Sequence, residues 1–412
     1  MKLKSKSIQN LLKLFLATPF LVLMTACGNT GGGGGNTGGG SSGPSTPAAV
    51  LYQYGITDGA SQSSPGNVLV AGIDSSGAVV TGQTYTGVTT SAPFAEATAT
   101  VGGLNFLYVV DPNSNVVDEF SVNGLTVTKL GTIPTGSGPE SITVDKNNRF
   151  VFVGDTNTAP QGGAFGVGDI YSYTINSNGT LTQVGSAPVF NNSDPVTAVQ
   201  EDTTGTYLIA ACWVSNTGWV SKSFTVNAGG TLTLVATSTE VAASGGDIPA
   251  PQFFVPVPGT TNGDILYAGN VQGAPVAYLY TVAVTSTTVT LNYINGSSDT
   301  TTTPVWIDPT GTWLFEATDI MSNGSETLTQ YKIGSSGTLT AGPEGTITLA
   351  NGTSNVGGLT NSAAGYISST GTVLVPDGGG GSSLIYNSLN GSLSSPASVG
   401  LAGADGNAVF LP

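Results

Sequence analysis

The sequence predicts an all-β fold, a seven-bladed β-propeller closed by a C-terminal strand that pairs with the first blade. Three observations carry that expectation. One strand–turn–strand pattern recurs at a spacing of about 50 residues, a second such pattern sits between its copies, and the chain begins and ends on complementary strands. Charged residues are only 8% of the 412, whereas Gly, Ser, Thr and Val abound, which is the chemistry of strands and turns. No amphipathic helix is expected after residue 50.

The elements follow in chain order. Lys2, Lys4, Lys6 and Lys13 form a basic head, and the apolar run from Leu14 to Met24 behind it is too short to cross a bilayer as a helix. With Thr25 and Ala26 it reads as a cleaved export signal over residues 1–26. Cysteine follows, and "MTAC" resembles a bacterial lipobox; the resemblance implies a diacylglycerol on Cys27 and cleavage before it. Acyl chains contribute about 0.8 kcal/mol per buried methylene, so two or three would hold the chain on a membrane. The one other cysteine, Cys212, lies in the apolar run "YLIAACWV" and is expected as a buried thiol, so the domain folds without disulfides. Residues 27–49, the lipidated Cys27 and a tract of Gly, Ser, Thr, Asn and Pro, are expected to form a flexible tether with a reach on the order of 25 Å. Gly28 follows the lipidated position, and the aspartate that retains lipoproteins at the inner membrane is missing after it. Outer membrane or cell surface is therefore the expected destination.

Residues 50–412 carry the repeat. "VVDEFSVNGLTVTKLG" (116–131), "DIYSYTINSNGTLTQVG" (169–185), "WVSKSFTVNAGGTLTLVA" (219–236) and "TLTQYKIGSSGTLTAG" (327–342) are alternating strands joined by a Gly-containing turn. Their aromatic markers Phe120, Tyr173, Phe224, Tyr280, Tyr331 and Tyr386, with Ala71 in the first copy, make seven. Between copies come pairs such as "ESITVDKNNRFVFVGD" (140–155) and "TPVWIDPTGTWLFEATD" (303–319), giving four strands per period, a, b, c and d. The domain starts on a b-like strand, 50–56, and ends on an a-like strand, 407–411. If these pair, the ring shuts and its exposed edges disappear.

The b strands end in "YVVD" (108–111), "FVGD" (152–155), "YAGN" (267–270) and "LVPD" (374–377). With "DPTGTWLF" and "YKIGSSGTLT" around them, these residues resemble the YVTN, lactonase-like family of seven-bladed propellers across nearly all of 50–412. The resemblance implies that b-to-c and d-to-a loops share the top face and that a 6-phosphogluconolactonase-type hydrolysis of small sugar lactones is open to the chain. It also implies a histidine and an arginine near the channel mouth. This chain has no histidine, and its one arginine, Arg149, stands in the a-to-b turn "DKNNRF" on the other face. No catalytic basic residue can be carried over, and His-based nucleophilic triads are excluded.

Asp58, Asp111, Asp155, Asn270, Asp319 and Asp377 stand at or near b-strand ends and are candidates for a top-face ligand or metal site. Such oxygens could hold Ca²⁺, whose bound water would replace histidine as a base. Alternatively they end strands through Asx turns and need no ligand. In the fourth blade, "CWVSNTGWVSK" offers Trp213 and Trp219, which either stack on a sugar ring or pack between blades. Beyond residue 50 there are five basic residues against 24 carboxylates, which excludes a nucleic-acid partner and leaves the acyl chains as the membrane contact. The expected role is that of a membrane-anchored, monomeric scaffold binding a small molecule, a glycan or a protein, with the lactonase-like or metal-dependent hydrolase as the alternative.

Overall fold

The computed structural model describes residues 48–57, 64–76, 78–156, 168–191, 195–214, 218–237, 250–256, 265–270, 277–284, 289–297, 305–308, 310–320, 325–334, 339–349, 365–367, 372–374, 382–387, 392–398 and 408–411. Residues 1–47, with the leader, Cys27 and nearly all of the tether, and Asp58 and Asp377 lie outside them. Among the described residues every regular element is a strand, and no helix is long and apolar enough to cross a membrane.

The strands make seven antiparallel sheets among the described residues. In the order a, b, c, d, the first is Ala408–Leu411, Leu51–Thr57, Asn67–Ile73 and Val79–Tyr85. The second is Ala95–Val101, Leu104–Asp111, Val116–Asn123 and Thr126–Pro134. The third is Pro139–Val144, Phe150–Asp155, Asp169–Ile175, then Leu181–Gln183 with Phe190–Asn191. The fourth is Val196–Glu201, Tyr207–Val214, Gly218–Val226 and Leu232–Thr237. The fifth is Ala250–Pro256, Ile265–Asn270, Ala277–Val284 and Val289–Ser297. The sixth is Val305–Ile307, Trp313–Ile320, Ser325–Ile333 and Leu339–Leu349. The seventh is Gly365–Ile367, Thr372–Leu374, Ser382–Asn387 and Ser392–Ser398.

All seven sequence markers fall on strand c, six of them at one register. Phe120 faces Leu107, Tyr173 faces Val151, Phe224 faces Leu208, Tyr331 faces Leu314, and Ala71 faces Gln53 across the b–c ladder. Tyr386 holds the same place opposite Val373, whereas Tyr280 stands one residue earlier, opposite Tyr267, and Thr281 takes the equivalent position opposite Leu266. The first and last described strands meet as well, with Tyr52 opposite Leu411 and Gly55 opposite Ala408. One strand departs from expectation. In the third sheet strand d is split, because Gly185 at φ +75° and Pro188 interrupt the ladder before Phe190 resumes it opposite Ile170.

Side chains alternate between the two faces of each sheet, so each sheet needs an apolar neighbour on both sides. One core lies between the first and second sheets, where Tyr54, Val70 and Val409 meet Leu107, Val109 and Phe120. Another joins the second and third through Phe106, Tyr108, Ile142 and Tyr173. A further core joins the third and fourth through Phe152, Leu208, Cys212 and Phe224. The a strands touch in succession from the first sheet to the sixth, and that of the seventh touches that of the first.

Three a-to-b turns are built alike. Asp145, Asp202 and Asp308 each bond through N–H to the carbonyl of the residue five positions on, at 2.9 Å. Each carboxylate in turn accepts the N–H of that residue: Phe150 at 2.7 Å, Tyr207 at 3.0 Å and Trp313 at 2.7 Å. This is Asx-type turn chemistry, and it leaves these aspartates committed to structure.

Candidate functional site

The b-to-c and d-to-a loops meet at one end of the sheets. Asn115, after the second b strand, accepts the N–H of Thr135 on its carbonyl (3.0 Å) and that of Gly138 on its side chain (2.9 Å). Asp111 ends that b strand fully buried. It accepts the N–H and hydroxyl of Ser91 in the preceding d-to-a loop and the N–H of Ser114 at 3.1 Å. Asp155 holds the equivalent place in the third sheet, accepting the Asp169 N–H at 3.1 Å. Gly136 is required beside it, since a Cβ there would lie 1.6 Å from an Asp155 oxygen. Asn270 ends the fifth b strand, and Asp319 is next to last in the sixth, opposite Glu326. Trp213 and Trp219 stand directly opposite one another at the same end of the fourth b–c hairpin.

The described candidates therefore stand at strand ends on the b-to-c side of their sheets, and Asp111 has a structural occupation. Among the described residues no three His, Cys, Asp or Glu side chains gather closely enough to hold a metal ion. Asp111 directs its oxygens at its own loops.

Sequence reasoning missed the buried glutamates on the a strands. Glu96 is 2% exposed, and neither of its oxygens has a hydrogen-bond partner. Burial pushes its carboxyl well above the ordinary range. It sits in regular register opposite Val109, whose side chain packs toward the first sheet.

Glu140, on the a strand of the adjacent sheet, is different. The ladder there jumps from Pro139 opposite Asp155 to Ser141 opposite Gly154, which leaves Glu140 as the extra residue of a β-bulge. Its Oε1 accepts the Thr156 hydroxyl at 3.2 Å, and that hydroxyl also reaches the Gly138 carbonyl at 3.2 Å. Burial raises the Glu140 carboxyl to about 7, partly opposed by the Thr156 bond. The one available sequence signal was a charge inside a short apolar strand, "PESITV".

One positive charge reaches this end, since Lys129 donates to the Val88 carbonyl at 3.0 Å and the Thr90 hydroxyl at 3.3 Å in the d-to-a loop after the first sheet. Lys129 pairs with Asp118 and Arg149 with Asp145, each at 2.9 Å. Lys146, in the Arg149 turn, bonds the Thr203 carbonyl at 2.5 Å, Lys222 lies over Phe190, and Lys332 stands opposite Trp313 just after an a-to-b turn. Glu140, Asp155 and Asp169 make the third sheet's share of this loop end acidic.

No protein-family model matches the chain, and none of the curated proteins matches it. Solved structures do. A protein from Lactobacillus plantarum is 15% identical, with 88% of this chain and 99% of that one covered, at a TM-score of 0.61. A proposed 6-phosphogluconolactonase from Bacteroides uniformis is 14% identical over 88% and 99%, at 0.60. A periplasmic gluconolactonase from Pseudomonas aeruginosa is 13% identical over the same shares, at 0.60. At such identities the likeness is one of fold alone, a β-propeller of four-stranded antiparallel blades.

Proposed function

We propose that the chain is a closed seven-bladed propeller, exported and held to a membrane by lipid on Cys27, that hydrolyses a small sugar lactone at its b-to-c and d-to-a loop end. Seven sheets with the first and last described strands paired support the closed ring, and the shared fold with a gluconolactonase supports the reaction class by analogy. The observation that carries the reading is Glu140. Its carboxyl titrates near neutrality at the loop end, which supplies a proton acceptor in a chain without histidine.

In this reading the ionised Glu140 takes a proton from a water molecule as the water oxygen bonds to the lactone carbonyl carbon. The tetrahedral intermediate then expels the ring oxygen, and the proton passes from Glu140 to it. The products are an open hydroxy acid and the carboxylate base restored. Thr156 keeps the carboxyl in place through Oε1. The experiment is proton release from a glucono-1,5-lactone solution, with the uncatalysed rate subtracted. Glu140→Gln should lower kcat by about 10²–10⁴-fold, the span of general-base catalysis. The wild-type rate should rise with pH through about 7, because only the ionised carboxyl accepts a proton. Absence of turnover at every pH would refute hydrolysis.

One observation favours a second reading, ligand binding without turnover. Asp111 and Asp155, at b-strand ends, accept N–H groups of the protein's own backbone. Saturable lactone binding without proton release would establish that reading instead.

A further inference from the structure

The chain holds seven Asn–Gly pairs, and three of them fall on described residues. Glycine has no Cβ, so its backbone nitrogen lies open to the carboxamide carbon of the asparagine before it. Where nitrogen and carboxamide are both free, the nitrogen attacks that carbon and expels ammonia. Where either is held, the attack waits for the fold to open.

The three pairs differ in this respect. Asn178–Gly179, in the c-to-d turn of the third sheet, is held on both sides. The Gly179 N–H donates to the Asn176 carbonyl at 2.9 Å, and the Asn178 Oδ1 accepts the Thr180 hydroxyl at 2.8 Å and the Thr180 N–H at 3.2 Å. Asn295–Gly296 stands within the fifth d strand, in the ladder opposite Leu279 and Tyr278. Asn123–Gly124, in the c-to-d turn of the second sheet, has an exposed asparagine. Among the described residues neither the Asn123 carboxamide nor the Gly124 N–H has a hydrogen-bond partner.

The first sheet holds this turn by its carbonyls alone. Tyr54 donates to the Gly124 carbonyl and Tyr85 to the Leu125 carbonyl, each at 2.7 Å. Gly124 and Leu125 form a two-residue connection between the paired Asn123 and Thr126, with Gly124 at φ +57°. A connection of that length is matched to the twist of its strands and has no slack for an added atom. Nor is there room beside it, since a Cβ on Gly124 would stand 3.2 Å from the Tyr52 ring.

We propose that Asn123 is a self-modification site, converting to aspartate and isoaspartate while Asn178 stays intact, and that isoaspartate there loosens the joint between the first and second sheets. The Gly124 nitrogen gives its proton to a solvent base and bonds to Asn123 Cγ. The carboxamide C–N bond breaks, and ammonia leaves with a proton from water. Water then opens the cyclic imide without change of oxidation state. Opening at Cγ gives aspartate, and opening at the backbone carbonyl gives isoaspartate, whose main chain is one atom longer. The longer turn draws the Gly124 and Leu125 carbonyls off their tyrosine hydroxyls. The reaction proceeds whether or not the ring hydrolyses a lactone.

The test is incubation of the full chain in mildly alkaline buffer, with peptide mass mapping at intervals and electron-transfer fragmentation to read isoaspartate. Asn123 should convert about 10- to 100-fold faster than Asn178, the ratio set by the hydrogen bonds that must first break at the latter. In urea sufficient to unfold the chain the two rates should converge, because both pairs are then free. Thermal melts of the incubated chain should show a lower-melting fraction that grows with isoaspartate at Asn123. Asn123→Gln, whose carboxamide carbon lies one methylene farther from the attacking nitrogen, should keep its melting temperature through the same incubation. Should that variant fail to fold, Asn123→Ser, which has no carboxamide, supplies the control. Equal rates at the two sites in the folded chain, an Asn123 that stays an amide, an isoaspartate-rich chain that melts like the fresh one, or a variant that loses melting temperature as wild type does would overturn the proposal.

Discussion

At the level of single residues, acidic groups divide by environment rather than by type. Asp111 and Asp155 were visible in the sequence because they repeat at strand ends, and the structure shows Asp111 closing loops with three hydrogen bonds. Glu96 and Glu140 were invisible because their meaning depends on which strand is innermost and where its ladder slips, and neither is written in local periodicity. Glu96 illustrates the cost of burial: a protonated carboxyl with no partner in the fold ionises freely once unfolded. Relative to a neutral side chain it therefore weakens the fold above pH 4.5, by about 1.4 kcal/mol for each further pH unit while it stays protonated in the fold. Glu96→Gln should remove that slope. Urea melts at pH 5 and pH 7 should show a wild-type loss that shrinks in the variant; parallel pH dependences would show that Glu96 is not held neutral.

Among elements, the repeat was legible because each hairpin announces itself locally, whereas the joints between sheets were not. Tyr54 donates to the Gly124 carbonyl at 2.7 Å, and Tyr108 to that of Gly179 at 2.9 Å. In both cases a b-strand tyrosine of one sheet grips the c-to-d turn of the next. This explains why a tyrosine opens the "YVVD" signature: its ring fills the inter-sheet core and its hydroxyl meets a turn carbonyl. The partners lie 71 residues apart in the second case, beyond any pattern within one repeat. Glycine is required at the gripped turn. Gly179 has φ +84°, and a Cβ on it would stand 2.0 Å from the Phe106 ring. Gly179→Ala combines a left-handed backbone with a collision against a buried aromatic, and should cost about 2–4 kcal/mol. Tyr108→Phe removes one hydrogen bond and should cost about 1 kcal/mol. Thermal melts of both variants test the joint, and a smaller loss for the alanine than for the phenylalanine would contradict it.

For the whole molecule, the same joints set how stability responds to pH. Glu201 ends the fourth a strand and accepts the backbone N–H of Lys146 from the third sheet's a-to-b turn. Burial raises it to about 7, with Asp145 and Asp202 adding to the rise and the Lys146 bond and Arg149 opposing it. Glu119 accepts the Leu181 N–H across the second and third sheets at 2.8 Å and is raised as well, mainly by burial. With Glu96 and Glu140, four carboxyls near sheet boundaries thus hold protons more tightly folded than unfolded. Between pH 4.5 and about 7 the folded chain therefore binds more protons than the unfolded chain, and stability must fall as pH rises. For Glu140 alone the loss is on the order of 3 kcal/mol across that window. The formal net charge of −15 acts in the same direction, because deprotonation adds repulsion to a chain already rich in negative charge. The melting temperature at pH 5 should thus exceed that at pH 7.5 by several degrees. Glu140→Gln should reduce the difference, although the same substitution removes the proposed base. A melting temperature that instead climbs steadily from pH 5 to 7.5 would mean that these carboxyls ionise readily within the fold, and Glu140 would then lose the near-neutral titration on which its role as a base depends.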